Sequence, residues 1–303
     1  MPASKILLTG STGLIGRSLT PVLASAGHQV VPLIRQASAP PGSIGWDPMA
    51  DTTDPAPFEG ADAVIHLGGE NLAQGRWNAA KKKRIIDSRV RSTALLARTI
   101  CRLRRLPRAF LCASATGFYG DRGDEELTEE SPAGKGFVAD LCQEWEKASK
   151  PAAETGIRVV HMRFGAVLST AGGALAKMLT PFKLGLGGPI GNGRQYLAWI
   201  TLDDAMAATM HLLDCPLAGP VNMIAPQSVT FRQFARTLGR VLHRPAFFPL
   251  PAPIARLVLG EMADQILLTS TRVVPRRLEQ DGFVFQQPDL ETALRQILAK
   301  RPA

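Results

Sequence analysis

The chain of 303 residues contains four cysteines, and no two of them stand at a metal-binding spacing. Cys101, Cys112, Cys142 and Cys215 form no CxxC pair, which excludes a zinc ribbon and a disulfide scaffold and fits a reducing compartment. Long apolar runs are missing too. No stretch approaches the roughly 18 residues a membrane span needs, and no basic segment leads into an apolar one at the start. A cytoplasmic protein with no membrane segment is expected. The five histidines show no HExxH or other paired spacing, so no metal centre is expected, and no GxSxG elbow offers a hydrolase nucleophile. Tyrosine occurs twice, as Tyr119 and Tyr196, so tyrosine chemistry has two positions to draw on.

Hydrophobic residues make up 45% of the chain and charged residues 20%, an ordinary globular balance for one large domain with a smaller appendage. The net charge of +9 is unevenly placed. Between Arg76 and Arg108 there are twelve Lys and Arg against one acid, Asp87, so this segment alone carries +11. From Lys81 to Arg108 no aromatics interleave with these charges, and Ile85, Ile86, Val90, Leu95, Leu96 and Ile100 keep helical spacing. The pattern predicts a solvated helix face with one or two arginines turned to an anionic ligand, and no nucleic-acid partner.

Strand-like and helix-like runs alternate. Strands are predicted over 5–9, 28–34, 63–67, 109–113 and 157–164, and helices over 14–26, 78–106 and 137–154. This is the pattern of an α/β fold, a doubly wound parallel Rossmann sheet. Beyond Gly165, glycines and prolines crowd the sequence, with a further strand over 221–224 and a last helix over 290–298. We expect a nucleotide-binding domain over 1–165, a strand near 220–225 returning to its sheet, and a smaller substrate-binding or lid region over 166–303.

Gly10-Ser11-Thr12-Gly13-Leu14-Ile15-Gly16 joins the first strand to the first helix. Glycines at this spacing allow a tight turn, backbone approach to a pyrophosphate and close helix–strand packing, and the helix N-terminus adds free N–H groups. Gly10, Thr12, Gly13, Leu14, Ile15 and Gly16 are therefore candidate cofactor contacts. The second strand ends in Ile34-Arg35, with no acid before Asp47. A carboxylate there would repel a ribose 2′-phosphate, whereas Arg35 can pair with one, which favours NADP(H) over NAD(H).

The GxxGxxG spacing resembles the extended short-chain dehydrogenase/reductase superfamily. Asp62-Ala63-Val64-Ile65-His66-Leu67-Gly68-Gly69 and Ser114-Ala115-Thr116-Gly117-Phe118-Tyr119-Gly120 are similar to two further blocks of it. HLGGENLAQGRW, RIIDSRV, SATGFYG, PFKLGLGGPIGNGRQYLAWI, GEMA, RVVPRRL and GFVFQQPDLETAL resemble its atypical, epimerase-like subfamily within the NAD-dependent epimerase/dehydratase family, almost from end to end. The resemblance implies an NADP-binding oxidoreductase or epimerase acting on a small polar, sugar-like metabolite. It places Ile34 and Arg35 at the adenosine phosphate and Leu67 and Gly68 beside the cofactor, with Glu70, Arg84, Arg89 and Val167 nearby. Arg84 and Arg89 should lie about 140° apart on a regular helix, flanking an extended ligand rather than meeting at one atom.

The superfamily's hydride transfer uses a Tyr-x-x-x-Lys pair, the tyrosine as acid/base and the lysine to lower its pKa. Here Phe137 and Leu141 occupy the helix where that pair should sit, and neither tyrosine has a lysine four residues on. Ser114, Thr116 and Tyr119 are the nearest replacements by position, with Glu144 and Lys135 behind them. Alternatively the substrate supplies its own proton, or the chain binds NADP(H) without turnover, as a sensor or scaffold. The glycine-rich stretch 185–195 is expected to cover the nicotinamide end, with Arg194, Gln195, Tyr196 and Trp199 offering charge, hydrogen bonds and a stacking face. Asp203 and Asp204 are expected to cap a helix after Thr201. A monomer or a homodimer is expected, the latter only if acids such as Asp140, Glu144 and Glu146 face the basic helix.

Overall fold

The computed structural model describes residues 3–36 and 39–299; the outermost residues of both expected domains lie outside this range. β1 (Lys5–Thr9), α1 (Leu14–Ser25), β2 (Gln29–Ile34), β3 (Ile44–Gly45) and β4 (Ala63–His66) open the chain. Seven strands form one sheet in which every neighbouring pair is parallel, with β1 between β2 and β4. Strands covered on both faces read as continuous apolar runs, and all four residues of β4 are buried. Gly27, at φ +87°, ends the first helical crossover where a side chain would be strained.

The single basic helix expected over 78–106 is instead α2 (Ala79–Ile86), a π turn (Asp87–Arg91) and α3 (Ser92–Ile100). The wider turn brings Ile85 and Val90, five residues apart, into one apolar cluster, while Leu95, Leu96 and Ile100 pack into another beneath the sheet. It also turns Arg89 inward, where it is buried. The outer cations are spread over acids and carbonyls from other segments: Arg105 reaches Asp62, Arg108 reaches Asp214, and Arg98 and Arg102 donate to the Asp51 and Thr53 carbonyls.

β5 (Ala109–Ala115) and β6 (Glu126–Leu127) follow. The helix expected over 137–154 is divided into α4 (Phe137–Lys147) and α5 (Lys150–Glu154), because Pro151 has no N–H with which to continue a helical ladder. β7 (Arg158–Phe164), β8 (Ala166–Leu168), α6 (Gly173–Lys183), β9 (Tyr196–Leu197), β10 (Trp199–Thr201) and α7 (Leu202–Asp214) lead to β11 (Gly219–Met223). β11 returns to the main sheet beside β7, giving the order β11-β7-β5-β4-β1-β2-β3. Its approach is fixed by Arg158, whose guanidinium donates to the carbonyls of Leu212 and Leu213 at the end of α7 and of Leu217.

The remaining elements are β12 (Val229–Thr230), α8 (Phe231–Leu242), α9 (Ala252–Leu259), β13 (Arg272–Val273), α10 (Arg276–Gln280) and α11 (Leu290–Ala299). α6, α8 and α11 share their own core, including Leu175, Phe182, Phe234, Leu238, Leu294 and Trp199. The cap of α7 is made by Thr201, whose hydroxyl accepts the Asp204 N–H. The buried Asp204 carboxylate instead accepts the N–H groups of Gln286 and Gln287, fastening the tail ahead of α11. No helix among the described residues is long and apolar enough to cross a membrane.

Candidate active site

The strand order reverses at β1, and in parallel sheets the crevice at such a point, beyond the carboxyl ends of the strands, is where ligands bind. Gly10 there adopts φ +70°, and a Cβ on it would lie 2.7 Å from the Leu67 carbonyl carbon. A Cβ on Gly16 would lie 2.2 Å from the Gly10 oxygen, so the loop, the helix and the turn after β4 are packed backbone to backbone. The Gly13 N–H donates to the Gly10 carbonyl at 3.0 Å, and no side chain caps α1. The N–H groups of its first turn, at Leu14, Ile15 and Gly16, are therefore open to an anion.

A hydrogen-bond relay that the sequence did not disclose holds the turn after β4. The Thr9 hydroxyl oxygen accepts the N–H groups of Leu67 and Gly68, both at 3.1 Å, and lies 2.6 Å from His66 Nδ1. With both donors pointing at Thr9, its own hydrogen goes to Nδ1, which leaves the His66 proton on Nε2, 3.2 Å from Ser92 Oγ. Ser92 passes its hydrogen to the Ser88 carbonyl at 2.7 Å. Burial, with the Arg89 charge adding to it, pushes the His66 pKa down to about 4, in keeping with this neutral ring.

Glu70, Arg84 and Arg89 come together around the next residues. Arg89 Nη1 donates to the Glu70 carbonyl at 3.0 Å, and Arg84 Nε lies 3.7 Å from the Glu70 carboxylate. Thus the two arginines reach different atoms of one residue, Arg84 from α2 and Arg89 from the π turn. A Cβ at Gly69 would lie 3.1 Å from the Arg89 guanidinium carbon, so Arg89 is a wall under this loop. Burial lowers the Arg89 pKa to about 10, which keeps it charged at neutral pH. The Glu70 carboxylate is 2.7 Å from Lys81 Nζ, and its pKa is held down by that hydrogen bond and by the charges of Lys81, Arg84 and Arg35. Arg35, exposed at the end of β2, thus shares one electrostatic neighbourhood with Arg84 and Lys81. Val167 lies in β8, beside Gly173, and Leu14 packs against Gly172 and Gly173, so the second half of the chain reaches the phosphate loop.

Ser114, Thr116 and Tyr119 stand at the end of β5, and all three are buried. Ser114 Oγ donates to Glu146 Oε1 at 2.7 Å. Glu146 pairs in two-pronged fashion with Arg163, at 2.8 Å for each prong. Arg163 Nη1 donates to the Tyr119 hydroxyl at 2.9 Å, and Tyr119 donates to Asn222 Oδ1 at 2.7 Å. Burial, only partly offset by Arg163, pushes the Tyr119 hydroxyl up to about 12. In this structure the Ser114 and Tyr119 protons belong to an internal network. Glu146 likewise turns into this network rather than toward the basic helix. Glu144 and Lys135 are on the exposed side. Glu146 and Arg163 carried no recognisable signal in the sequence, being a charged pair formed across the fold.

At the start of α4, the Phe137 ring meets the edge of Trp77 at 5.4 Å, and Leu141 lies in the same apolar cluster with Met262 and Ile85. Lys82 Nζ stands 4.7 Å from the centre of the Phe137 ring and 2.5 Å from the Glu261 carboxylate.

The glycine-rich stretch is laced down. Phe248, Leu250 and Gly191 donate their N–H groups to Gly187, Pro189 and Leu250, and a Cβ on Gly188 would meet the Phe248 carbonyl oxygen at 2.1 Å. Gly188 thus serves close backbone packing, Gly187 leaves room for the Phe182 ring, and Gly185, Gly191 and Gly193 take positive φ. Trp199, expected as a stacking face, is buried with its N–H on the Gln227 carbonyl, and Gln195 is buried against the Ile190 and Leu267 carbonyls. Arg194 and Tyr196 do line a cavity of about 260 Å³ with Asp124, Gly193, Thr230 and Arg232. Remote from the loops, the side chains of His211, Cys215 and Asp281 approach within 4.8 Å, with His211 Nε2 and Asp281 Oδ2 at hydrogen-bond distance, 2.6 Å.

Comparison with known proteins matches this geometry to a family. The model of the NAD dependent epimerase/dehydratase family matches residues 6–224, and that of a domain of unknown function, DUF1731, matches residues 250–297. Epimerase family protein Mb2239 of Mycobacterium bovis is 40% identical over 295 residues, covering 97% of each chain. The crystal structure of human epimerase family protein SDR39U1 with NADPH superposes with a TM-score of 0.89 at 36% identity, over 97% of this chain and 98% of that one. A nucleoside-diphosphate sugar epimerase from Corynebacterium glutamicum has a TM-score of 0.81 at 34% identity, over 98% of this chain and 58% of that one. The parallel sheet, the glycine loop at its switch point and the match over most of the chain place this protein in the NAD dependent epimerase/dehydratase family.

Proposed function

We propose that the protein binds NADP(H) and uses it in an oxidoreductase or epimerase reaction on a small metabolite. The observation that carries this reading is the cation group of Arg35, Arg84 and Lys81 around Glu70, at the end of a crevice whose floor only glycines fit. An adenosine 2′-phosphate brings the negative charge that such a group suits, and the human relative was solved with NADPH. Gly10, Thr12, Gly13, Leu14, Ile15 and Gly16 would hold the pyrophosphate, and Ile34 and Arg35 the adenosine end. Leu67 and Gly68, fixed by Thr9, would lie along the cofactor, with Glu70, Arg84 and Arg89 supporting that turn and Val167 beyond it. When bound, the dinucleotide supplies hydride exchange at a single carbon. The residues around it orient it and exclude water.

Fluorescence titration with NADPH and NADH, repeated on Arg35→Ala, tests this. NADPH binding is expected in the micromolar range and should weaken about ten- to a hundredfold in the variant, or about 1.4–2.7 kcal/mol, with NADH little changed. Failure of the parent to bind either nucleotide would overturn the reading.

A further inference from the structure

We propose that Lys82 is the proton donor at this site and that Glu261 is the residue that positions it, an assignment that rests on the NADP(H) reading above. The crevice needs a group that can give up a proton and recover it from water. Ser114 and Tyr119 have committed theirs to Glu146 and Asn222, and Glu70 is taken up by Lys81. Lys82 is different. Its ammonium is held from one side by Glu261, at 2.5 Å, and from another by the face of Phe137, at 4.7 Å. One carboxylate and one ring face do not use up three N–H donors.

The location suits the role. Phe137 opens α4, which packs on the turn Thr116–Tyr119 at the carboxyl end of β5, so the ring against which the ammonium rests belongs to an element beside the crevice. Trp77, Phe118, Phe137 and Met262 share one apolar cluster there, a setting that strengthens electrostatic contacts with a bound substrate. Side-chain exposures of 30% for Lys82 and 37% for Glu261 leave water a path for recharging. Glu261 belongs to the C-terminal segment 250–297, so that segment takes part in the chemistry by bringing a carboxylate to a lysine of the nucleotide-binding half.

The step balances as a carbonyl reduction. As the carbonyl carbon gains a hydride from the reduced nicotinamide, which is oxidised, the C=O π pair moves onto oxygen. That oxygen takes a proton from Lys82 Nζ to become an alcohol, and the neutral amine recovers a proton from water. In the reverse direction the amine accepts the alcohol proton.

The parent, Lys82→Met, Lys82→Arg and Glu261→Gln would be titrated with NADPH by fluorescence, then assayed by NADPH consumption against a panel of aldehydes, ketones and 2-oxo acids. NADPH affinity should stay within about threefold in all of them. Lys82→Met and Lys82→Arg should both lose about 10²- to 10⁴-fold in kcat, because a guanidinium keeps the charge but yields no proton near neutral pH. Glu261→Gln should shift the pH profile of kcat while leaving NADPH affinity in place. Turnover retained in Lys82→Arg would overturn the assignment, as would a loss of NADPH affinity in Lys82→Met as large as its loss of turnover, which would make the pair a structural latch. A parent that binds NADPH but reduces no carbonyl overturns the proton donor alone; a parent that binds no nucleotide overturns the NADP(H) reading beneath it.

Discussion

Replacing Glu146 with glutamine tests the internal charge network most directly. The pair it forms with Arg163 is almost dry, with side-chain exposures of 11% and 4%. Glutamine preserves the volume and can still accept the Ser114 hydroxyl through its oxygen. Its amide group, however, would point hydrogens at a guanidinium prong that now ends on a carboxylate oxygen at 2.8 Å. The guanidinium would keep its hydrogen bond to Tyr119 and its stacking at 3.5 Å from the Phe118 ring centre, neither of which neutralises it. Removing one partner of a buried pair costs about 3–5 kcal/mol. For a chain of this size that is a fall in melting temperature of about 5–8 °C. Urea denaturation followed by tryptophan fluorescence reads the loss, since Trp145 adjoins Glu146. The double variant Glu146→Gln/Arg163→Met, which also removes the stranded charge, should recover most of it. A single-variant loss below about 1 kcal/mol, or a double variant as unstable as the two singles summed, would refute the claim that the two charges sustain each other.

Ser114→Ala should lose about 1.5–3 kcal/mol of stability through its bond to a charged acceptor, with turnover kept; an intact melting temperature with abolished turnover would restore Ser114 as the acid/base. Gly16→Ala drives a Cβ to 2.2 Å from the Gly10 oxygen, whereas Gly13→Ala brings one only to 3.3 Å. Gly16→Ala should therefore cost about 1–3 kcal/mol and much of the NADPH affinity, and Gly13→Ala less of both; thermal melts with NADPH titration would expose the opposite order. His66, with a folded pKa of about 4, stays neutral in the folded chain while the unfolded chain protonates near the usual histidine value of 6.5. Its contribution is thus present above that value and lost as pH falls toward 4, by about 2 kcal/mol between about pH 7.5 and about pH 5. His66→Asn should flatten that part of the stability–pH curve, and an unchanged slope would count against a buried neutral ring.

The parts of this fold that depend on local repetition were legible in the sequence. Continuous apolar runs marked β1, β4 and β7, and GxxGxxG marked the turn between β1 and α1, because one chain segment dictates each. What escaped depends on distant partners. Thr9 and His66 are 57 residues apart and Ser114 and Glu146 are 32 apart, so neither relay leaves a spacing to read. The π turn escaped for another reason. One extra residue in a turn is invisible to a helical periodicity, yet that turn carries the buried Arg89. In the stretch 185–195 the glycines were read as freedom; Gly188 is instead a place where another backbone lies too close for a side chain and Gly187 one where the Phe182 ring does, while Gly185, Gly191 and Gly193 hold positive φ.

The late return of β11 has a consequence for how the chain is made. A ribosome releases β7 with one edge unpaired, because its neighbour on that side is not synthesised until residues 219–223. At roughly 5–20 residues per second, the open strand waits roughly three to twelve seconds while α6 and α7 are built. Through that interval the nascent chain presents a parallel-sheet edge to whatever else is being made nearby. Growth temperature and chaperone supply should therefore govern the soluble yield of this protein more than the stability of its finished form, and a fragment ending at residue 165 would carry the same exposed edge permanently.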